Sequence, residues 1–139
     1  MTMDKKCIDK CINVTEKADV ASEHLVGKKD KIAAEKAAVD SMRSELNNLD
    51  MIGKIVIGEG ELDEAPMLYI GENLGTNVGP ELDIAVDPLE GTNFAANNVP
   101  GALSVIAVSE KNNLFNAPET YMEKISTTIK ENNVVDLDY

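Results

Sequence analysis

The stretch that decides the fold is DIAVDPLEGT, residues 83–92. Its alternating apolar residues predict a strand, and the strand ends in a turn that contains Asp87, Glu90 and Thr92. The proline in this turn removes a backbone donor, which leaves neighbouring carbonyls such as that of Leu89 available as ligands. Carboxylates bind hard cations, and the glycine of the turn would let a phosphoryl group approach the main chain. The stretch predicts a divalent-metal site, whereas the alternative is an ordinary acidic connection after a strand.

A second acidic turn lies upstream in IVIGEGELDEAP, residues 55–66. Glu59 follows the apolar strand of this segment directly, and its alternative interpretation is a solvated loop acid. The solvated interpretation is preferred for three neighbouring acids: Glu61, Asp63 and Glu64. Two carboxylates about 4 Å apart repel by about 4 kcal/mol at an effective dielectric of about 20. A cluster of Glu59, Asp87 and Glu90 therefore predicts a bound cation.

Composition sets the class of protein. The 139 residues are 43% hydrophobic and 27% charged, which is typical of one soluble domain. The net charge of −12 argues against nucleic acid and anionic membrane surfaces as partners, so an anionic substrate would need a local positive charge such as a metal ion. No apolar run is long enough to span a bilayer, and the N-terminus lacks the apolar core of a signal peptide. A cytoplasmic location is therefore expected.

The hydrophobic periodicity predicts two helices followed by short strands. The first helix covers about 5–26 and ends at Gly27; the second covers about 31–49, with Asp30 as its N-cap. The buried stripe of the second helix is predicted to be Ala38, Met42, Leu46 and Leu49. Strands are predicted at 54–58, 82–86 and 103–109, a loop at 71–79, a turn at 111–113 and a return strand at 114–117. This order is typical of an α+β layered domain.

Four stretches resemble the class II fructose-1,6-bisphosphatases of bacteria, within the lithium-sensitive sugar-phosphatase superfamily. They are IVIGEGE at 55–61, DEAPMLYIGE at 63–72, IAVDPLEGT at 84–92 and NAPETYMEK at 116–124. The resemblance implies the N-terminal portion of a layered helix/sheet sugar-phosphatase fold, which stops a little under halfway through the family's usual length. It implies an N-terminal metal-binding phosphatase domain at 1–125 and a polar tail at 126–139 that diverges from the family.

The same resemblance implies roles for individual residues. The implied metal ligands, for Mg²⁺ or Mn²⁺, are Glu35, Glu59, Asp87 and Glu90. The implied catalytic residues are Glu59 and Thr92. The implied substrate contacts are Glu90, Gly91, Thr92 and Tyr121, of which Tyr121 could equally be a half-buried aromatic residue.

Glu35 is a departure from the family pattern. The family has an aspartate ligand in an Ala-Asp-x-x-Ala-Val context, where this chain has AEKAAV at 34–39. The extra methylene moves the carboxylate by roughly 1.5 Å. Since Mg²⁺ demands near-ideal octahedral geometry, one metal position is expected to be weakened.

The resemblance implies metal-dependent hydrolysis of fructose 1,6-bisphosphate to fructose 6-phosphate and phosphate, a step of gluconeogenesis and glycerol metabolism. The family's basic sugar-phosphate contacts lie in the half that this chain lacks, so the expected partner is a homo-oligomer or a complementary C-terminal half. One alternative is a non-catalytic remnant, or half of a split enzyme, that binds metal or a partner chain. Another alternative is an inositol-type phosphatase.

Overall fold

The computed structural model describes residues 5–59, 67–115 and 123–128, with side chains from residue 8 onward. The elements in chain order are α1 Lys5–Glu23, α2 Lys31–Asn47, β1 Ile52–Ile57, β2 Asn73–Leu74, β3 Glu81–Glu90, α3 Thr92–Ala96 and β4 Leu103–Glu110. Helices packed beside one sheet confirm the predicted α+β class. Within these described ranges, none of the helices has the length and hydrophobicity that crossing a bilayer requires.

Both long helices begin where the sequence predicts and end slightly earlier. The Asp30 carboxylate accepts a hydrogen bond from the Ala33 amide at 3.0 Å, which confirms the predicted N-cap of α2. α1 stops at Glu23 because the next amides, of Leu25 and Val26, bond three residues back, in a turn rather than an α-helix. Gly27 follows with φ +76°, in the left-handed conformation that glycine adopts readily.

The core lies between the two long helices and one face of the sheet. The predicted stripe of α2 is confirmed, since Ala38, Met42 and Leu46 are fully buried and Leu49 is 8% exposed. Opposite them lie the buried strand residues Ile55, Leu82, Ile84 and Val86. Burial of these side chains, at roughly 2 kcal/mol each, holds the layers together.

The four strands form one sheet in the order β2-β1-β3-β4. β1 and β3 are parallel neighbours, whereas β2 and β4 pair antiparallel at the two edges. The three predicted strands are confirmed, although β3 extends four residues beyond its predicted end at Val86 and the predicted loop at 71–79 contains the short β2. The carboxyl ends of β1 and β3 therefore meet at the same edge of the sheet.

The return strand predicted at 114–117 is wrong for its two described residues, which lie outside any strand. β4 is itself the return strand of β3, and the predicted turn at 111–113 follows it. The amides of Asn113 and Leu114 then donate to the buried Asp83 carboxylate at 3.1 and 3.4 Å instead of to a neighbouring strand. Residues 116 and 117 lie outside the described part of the chain.

The two faces of the sheet differ in burial. Ile106 and Val108 of β4 pack against the core, opposite Val86 and Ile84 of β3. On the other face, Leu103 is 58% exposed and Val105 is 45% exposed. The helices therefore cover one side of the sheet and leave apolar side chains exposed on the other.

Candidate metal centre

The first acidic turn is built on a β-bulge at the end of β3. Asp87 pairs with Val105 and Glu90 pairs with Leu103, so three steps along β3 match two steps along β4. Pro88 lies within this irregularity and is fully buried. A bulge tolerates proline because the regular ladder, and its need for an amide donor, is interrupted there. The bulge brings Asp87 and Glu90 to the rim of the sheet.

Gly91 turns the chain from β3 into α3. Its φ of +79° is left-handed, and a Cβ there would lie 2.9 Å from Cδ2 of Phe94. The Gly91 carbonyl accepts the Phe94 amide at 2.8 Å, which starts the five-residue helix at Thr92. Gly91 and Thr92 therefore follow the acids of β3 directly, at the point where the sequence analysis put substrate contacts; those roles stay predictions.

Asp87 lies in an environment that disfavours its charge. Burial raises the pKa of Asp87 to about 6, and the neighbouring Glu90 side chain, with a smaller repulsion from Glu35, acts in the same direction. Among the described residues, the Oδ1 atom of Asp87 is buried and has no hydrogen-bond partner. Two other predicted ligands, Glu90 and Glu35, therefore both disfavour the charge of Asp87, whose Oδ1 is a buried acceptor atom.

Glu59, the fourth predicted ligand, lies on the second acidic turn. Its amide donates to the Leu68 carbonyl at 3.0 Å, which closes the base of the turn. A Cβ on the preceding Gly58 would lie 2.3 Å from the same carbonyl oxygen and 2.7 Å from Cγ2 of Ile55, so only glycine fits there. Residues 60–66, which include the acids that the sequence analysis interpreted as solvated, lie outside the described residues.

Adjacent parallel strands bring the two acidic turns to one edge. Ile57 of β1 pairs with Ala85 of β3, and Glu59 and Asp87 each come two residues later. Within residues 5–59, 67–115 and 123–128, no group of three or more His, Cys, Asp or Glu side chains is placed so that it could hold a metal ion. The convergence of all four carboxylates on one ion therefore stays a prediction.

The donor chemistry at this edge fits a hard divalent cation. Every predicted ligand offers carboxylate oxygen, which Mg²⁺ and Mn²⁺ prefer. The buried Asp87 Oδ1 is an acceptor that a cation would satisfy, and a cation would also relieve the repulsion that Glu90 and Glu35 exert on Asp87. Tyr121, the predicted substrate contact, lies outside the described residues.

An ion pair between Arg43 and Glu72 was not predicted from the sequence. Nε and Nη2 of Arg43 donate to Oε1 and Oε2 of Glu72 at 2.7 and 3.2 Å, and Nη2 also donates to the Met67 carbonyl. The sequence did contain one signal that Arg43 has a particular role, because it is the only arginine in the sequence. Its partner is 29 residues away, which helical periodicity does not reveal.

Comparison with known proteins identifies the family. Residues 5–139 match the family described as "Bacterial fructose-1,6-bisphosphatase, glpX-encoded". This range includes residues 126–139, so the division of the chain at 125 stays a prediction. A solved structure titled "Extragenic suppressor from Pyrococcus furiosus" is also similar, with 16% identity, a TM-score of 0.49, and coverage of 77% of this chain and 41% of that chain.

Two curated relatives carry the name D-fructose 1,6-bisphosphatase class 2/sedoheptulose 1,7-bisphosphatase. The proteins of Prochlorococcus marinus (strain MIT 9303) and Synechococcus sp. (strain CC9605) are each 49% identical over 135 residues, 97% of this chain. The chain spans 40% of the length of each of these relatives. With nearly its whole length matched, this chain belongs to the bacterial, glpX-encoded fructose-1,6-bisphosphatase family.

Proposed function

We propose that this chain supplies the metal-binding part of a fructose-1,6-bisphosphatase that uses Mg²⁺ or Mn²⁺. The observation that carries the proposal is the buried, unpartnered Oδ1 of Asp87, beside Glu90 at the end of β3. A carboxylate that is costly to ionise without a counter-charge is expected where a cation binds. The full reaction is proposed for the complete protein, since this chain spans 40% of its relatives' length.

In the proposed site, Asp87, Glu90, Glu59 and Glu35 hold the metal. A bound divalent cation would lower the pKa of the attacking water and neutralise charge on the phosphoryl group. Glu59 accepts a proton from that water, and the Thr92 hydroxyl orients the water by a hydrogen bond. The water oxygen bonds to phosphorus as the bond from phosphorus to the C1 oxygen breaks. The C1 oxygen takes up a proton from solvent water, Glu59 releases its proton to solvent, and the products are fructose 6-phosphate and phosphate.

The proposed substrates are ketose bisphosphates. The relatives' names include both fructose 1,6-bisphosphate and sedoheptulose 1,7-bisphosphate, which share a phosphorylated C1. The backbone at Gly91 would approach the reacting phosphate, and Tyr121 would contact the sugar phosphate. We place this reaction in gluconeogenesis and glycerol metabolism, in the cytoplasm.

The net charge of the chain indicates what a partner has to supply. A net charge of −12 repels a bisphosphate, so basic contacts have to come from elsewhere. A complementary C-terminal half or a homo-oligomer would supply them. A non-catalytic remnant remains the alternative for the chain alone, whereas the family match favours a bisphosphatase over an inositol-type phosphatase.

Metal binding by the purified chain tests the proposal directly. Calorimetric titration with Mn²⁺ should show binding that Asp87→Asn weakens by at least tenfold, because one ligand oxygen charge is removed. A phosphate-release assay on fructose 1,6-bisphosphate should show little turnover by this chain alone.

Glu110→Gln is the matched control. It removes one negative charge at the far end of β4, opposite Leu82, so it reports attraction of Mn²⁺ by net charge alone. Equal weakening by Asp87→Asn and Glu110→Gln, or no Mn²⁺ binding by the unmodified chain, would overturn the proposed metal site.

A further inference from the structure

We propose that Arg43 is a positioning residue that holds the backbone of Glu59 in place relative to α2. The inference rests on the proposed metal site, because it assigns a role toward that site. Arg43 touches neither metal nor substrate in this proposal. It acts through Glu72 and the backbone of the segment 67–72, which we call the clamp segment.

Arg43 holds the clamp segment at both of its ends. Its guanidinium forms a two-pronged pair with Glu72, at 2.7 and 3.2 Å, and Nη2 also donates to the Met67 carbonyl. The Arg43 side chain is 26% exposed and that of Glu72 is 11% exposed, so the pair is largely shielded from solvent. Planar two-pronged pairs of this kind fix direction as well as distance.

The clamp segment is in turn bonded along the end of β1. The Ile55 amide donates to the Glu72 carbonyl at 2.9 Å, and the Gly71 amide donates to the Ile55 carbonyl at 2.8 Å. At the other end, the Glu59 amide donates to the Leu68 carbonyl at 3.0 Å. The backbone of Glu59 is therefore tied to a segment that Arg43 fixes at residues 67 and 72.

Arg43 also connects Glu59 to a second predicted ligand, because Arg43 and Glu35 lie on the same helix. Glu35 lies eight residues before Arg43 on α2, about 12 Å along the helix axis. Because α2 is a continuous helix with a capped N-terminus, it transmits the position of Arg43 to Glu35 as a rigid element. The Arg43–Glu72 pair thus sets the placement of Glu59, just after β1, relative to Glu35 on α2, and the proposed site must bring both residues to one ion.

The experiment separates positioning from general stability. Arg43→Met alone would leave the shielded Glu72 carboxylate without its cation, so the key variant is Arg43→Met combined with Glu72→Gln. Its matched control is Lys111→Met with Glu81→Gln, which removes one positive and one negative charge from an exposed ion pair. This pair lies at the N-terminal end of β3, whereas Asp87 and Glu90 lie near its C-terminal end. Arg43→Lys keeps the positive charge but cannot form the two-pronged hydrogen bonds of the guanidinium.

Two readouts are measured in each variant: hydrogen exchange of the Glu59 amide in metal-free protein, and the dissociation constant for Mn²⁺. In the Arg43/Glu72 double variant, Glu59 amide exchange should accelerate at least tenfold while that of the core amide of Ile84 is unchanged. The Mn²⁺ dissociation constant should rise by about 10–100-fold, as for other residues that support metal ligands. The Lys111/Glu81 control should match the unmodified chain, and Arg43→Lys should fall between them.

The outcomes distinguish the two proposals. Unchanged Glu59 exchange together with unchanged Mn²⁺ affinity in the double variant overturns the role of Arg43, even if the metal site is real. Equal acceleration at Glu59 and Ile84 also overturns it, because the pair would then stabilise the whole domain. No Mn²⁺ binding by the unmodified chain overturns the proposed function itself.

Discussion

Ile57 of β1 lies opposite Ala85 of β3 in a parallel pairing, two residues before Glu59 and Asp87 respectively. Glu59 therefore follows the end of β1 at the level of Asp87, which is still part of β3 and pairs with Val105 of β4. Parallel strands present their carboxyl ends at the same edge, which is where open sheets bind ligands. This pairing, rather than proximity in sequence, relates the two acidic turns.

Asp87→Asn should stabilise the metal-free chain at pH 8. The pKa of Asp87 is raised from 3.8 to about 6, so the fold favours the protonated form, and stability falls as pH rises through this window. The shift corresponds to at most about 3 kcal/mol, which solvent screening reduces to about 1 kcal/mol. Thermal unfolding with a chelator should give a melting temperature roughly 3 °C higher for the variant at pH 8 and no gain at pH 4. Equal pH dependence in both proteins would contradict the assignment to Asp87.

Glu35→Asp should raise Mn²⁺ affinity by several-fold. The shorter side chain withdraws the carboxylate by about 1.5 Å and restores the residue type that the resemblance implies at this position. Calorimetry on the two proteins measures the change, with Asp40→Glu on the exposed side of the same helix as the control. An unchanged or weaker affinity would mean that the longer side chain of Glu35 reaches the ion without strain, or that Glu35 is not a ligand.

Gly58→Ala should open the base of the second acidic turn. Its Cβ would meet the Leu68 carbonyl at 2.3 Å, so the hydrogen bond from the Glu59 amide to that carbonyl must break. We expect a loss of about 2–3 kcal/mol in the free energy of unfolding, measured with urea. Gly71→Ala is the comparison, because Gly71 has φ +96° but no atom within 4 Å of the added Cβ, so that variant reports backbone strain without the clash. A smaller loss in Gly58→Ala than in Gly71→Ala would refute the steric argument.

Val105→Lys should reduce self-association. Val105 and Leu103 expose 45% and 58% of their surface on the sheet face that the helices leave uncovered, and β4 is an edge strand. Exposed apolar side chains at a strand edge promote pairing between chains, whereas a lysine opposes it. Light scattering at rising concentration should show dimers or larger species that the variant loses, while Val78→Lys, at an exposed loop position, keeps them. A constant monomer mass for the unmodified chain would show that this face needs no cover.

Local signals predicted the long elements well, whereas the roles of the site residues stay predictions. The cap at Asp30 and the stripe through Met42 and Leu46 depend on neighbours within a few turns, so the sequence alone suffices for them. α3 was missed because five residues after Gly91 are too few to show a helical period. The bulge at Pro88 was missed because it exists only in the pairing of β3 with β4.

Features that depend on distant partners were beyond the sequence. Asp83 looked like one more strand residue, yet its buried carboxylate accepts two amides from the turn 30 and 31 residues later. The same amides explain why no strand begins at Leu114. Arg43 was overlooked for the same reason, since its partner Glu72 lies 29 residues later, just before β2.

The order of the strands also constrains how the chain folds. α1 and α2 are neighbours in sequence and can pack against each other early. β1 can pair with β3 only after the chain between them has closed into a loop. The Ile106 and Val108 side chains of β4 are the last in sequence order to join the core. Non-local pairing of this kind slows folding, because loop closure precedes the gain from contacts. Pulsed hydrogen exchange during refolding should therefore protect amides of α2 before those of β4. Ile8 and Ile12 of α1 line a cavity against β4 and remain 46% and 52% exposed in the folded chain. Before β4 docks they lack even this partial cover, which leaves them accessible to chaperones.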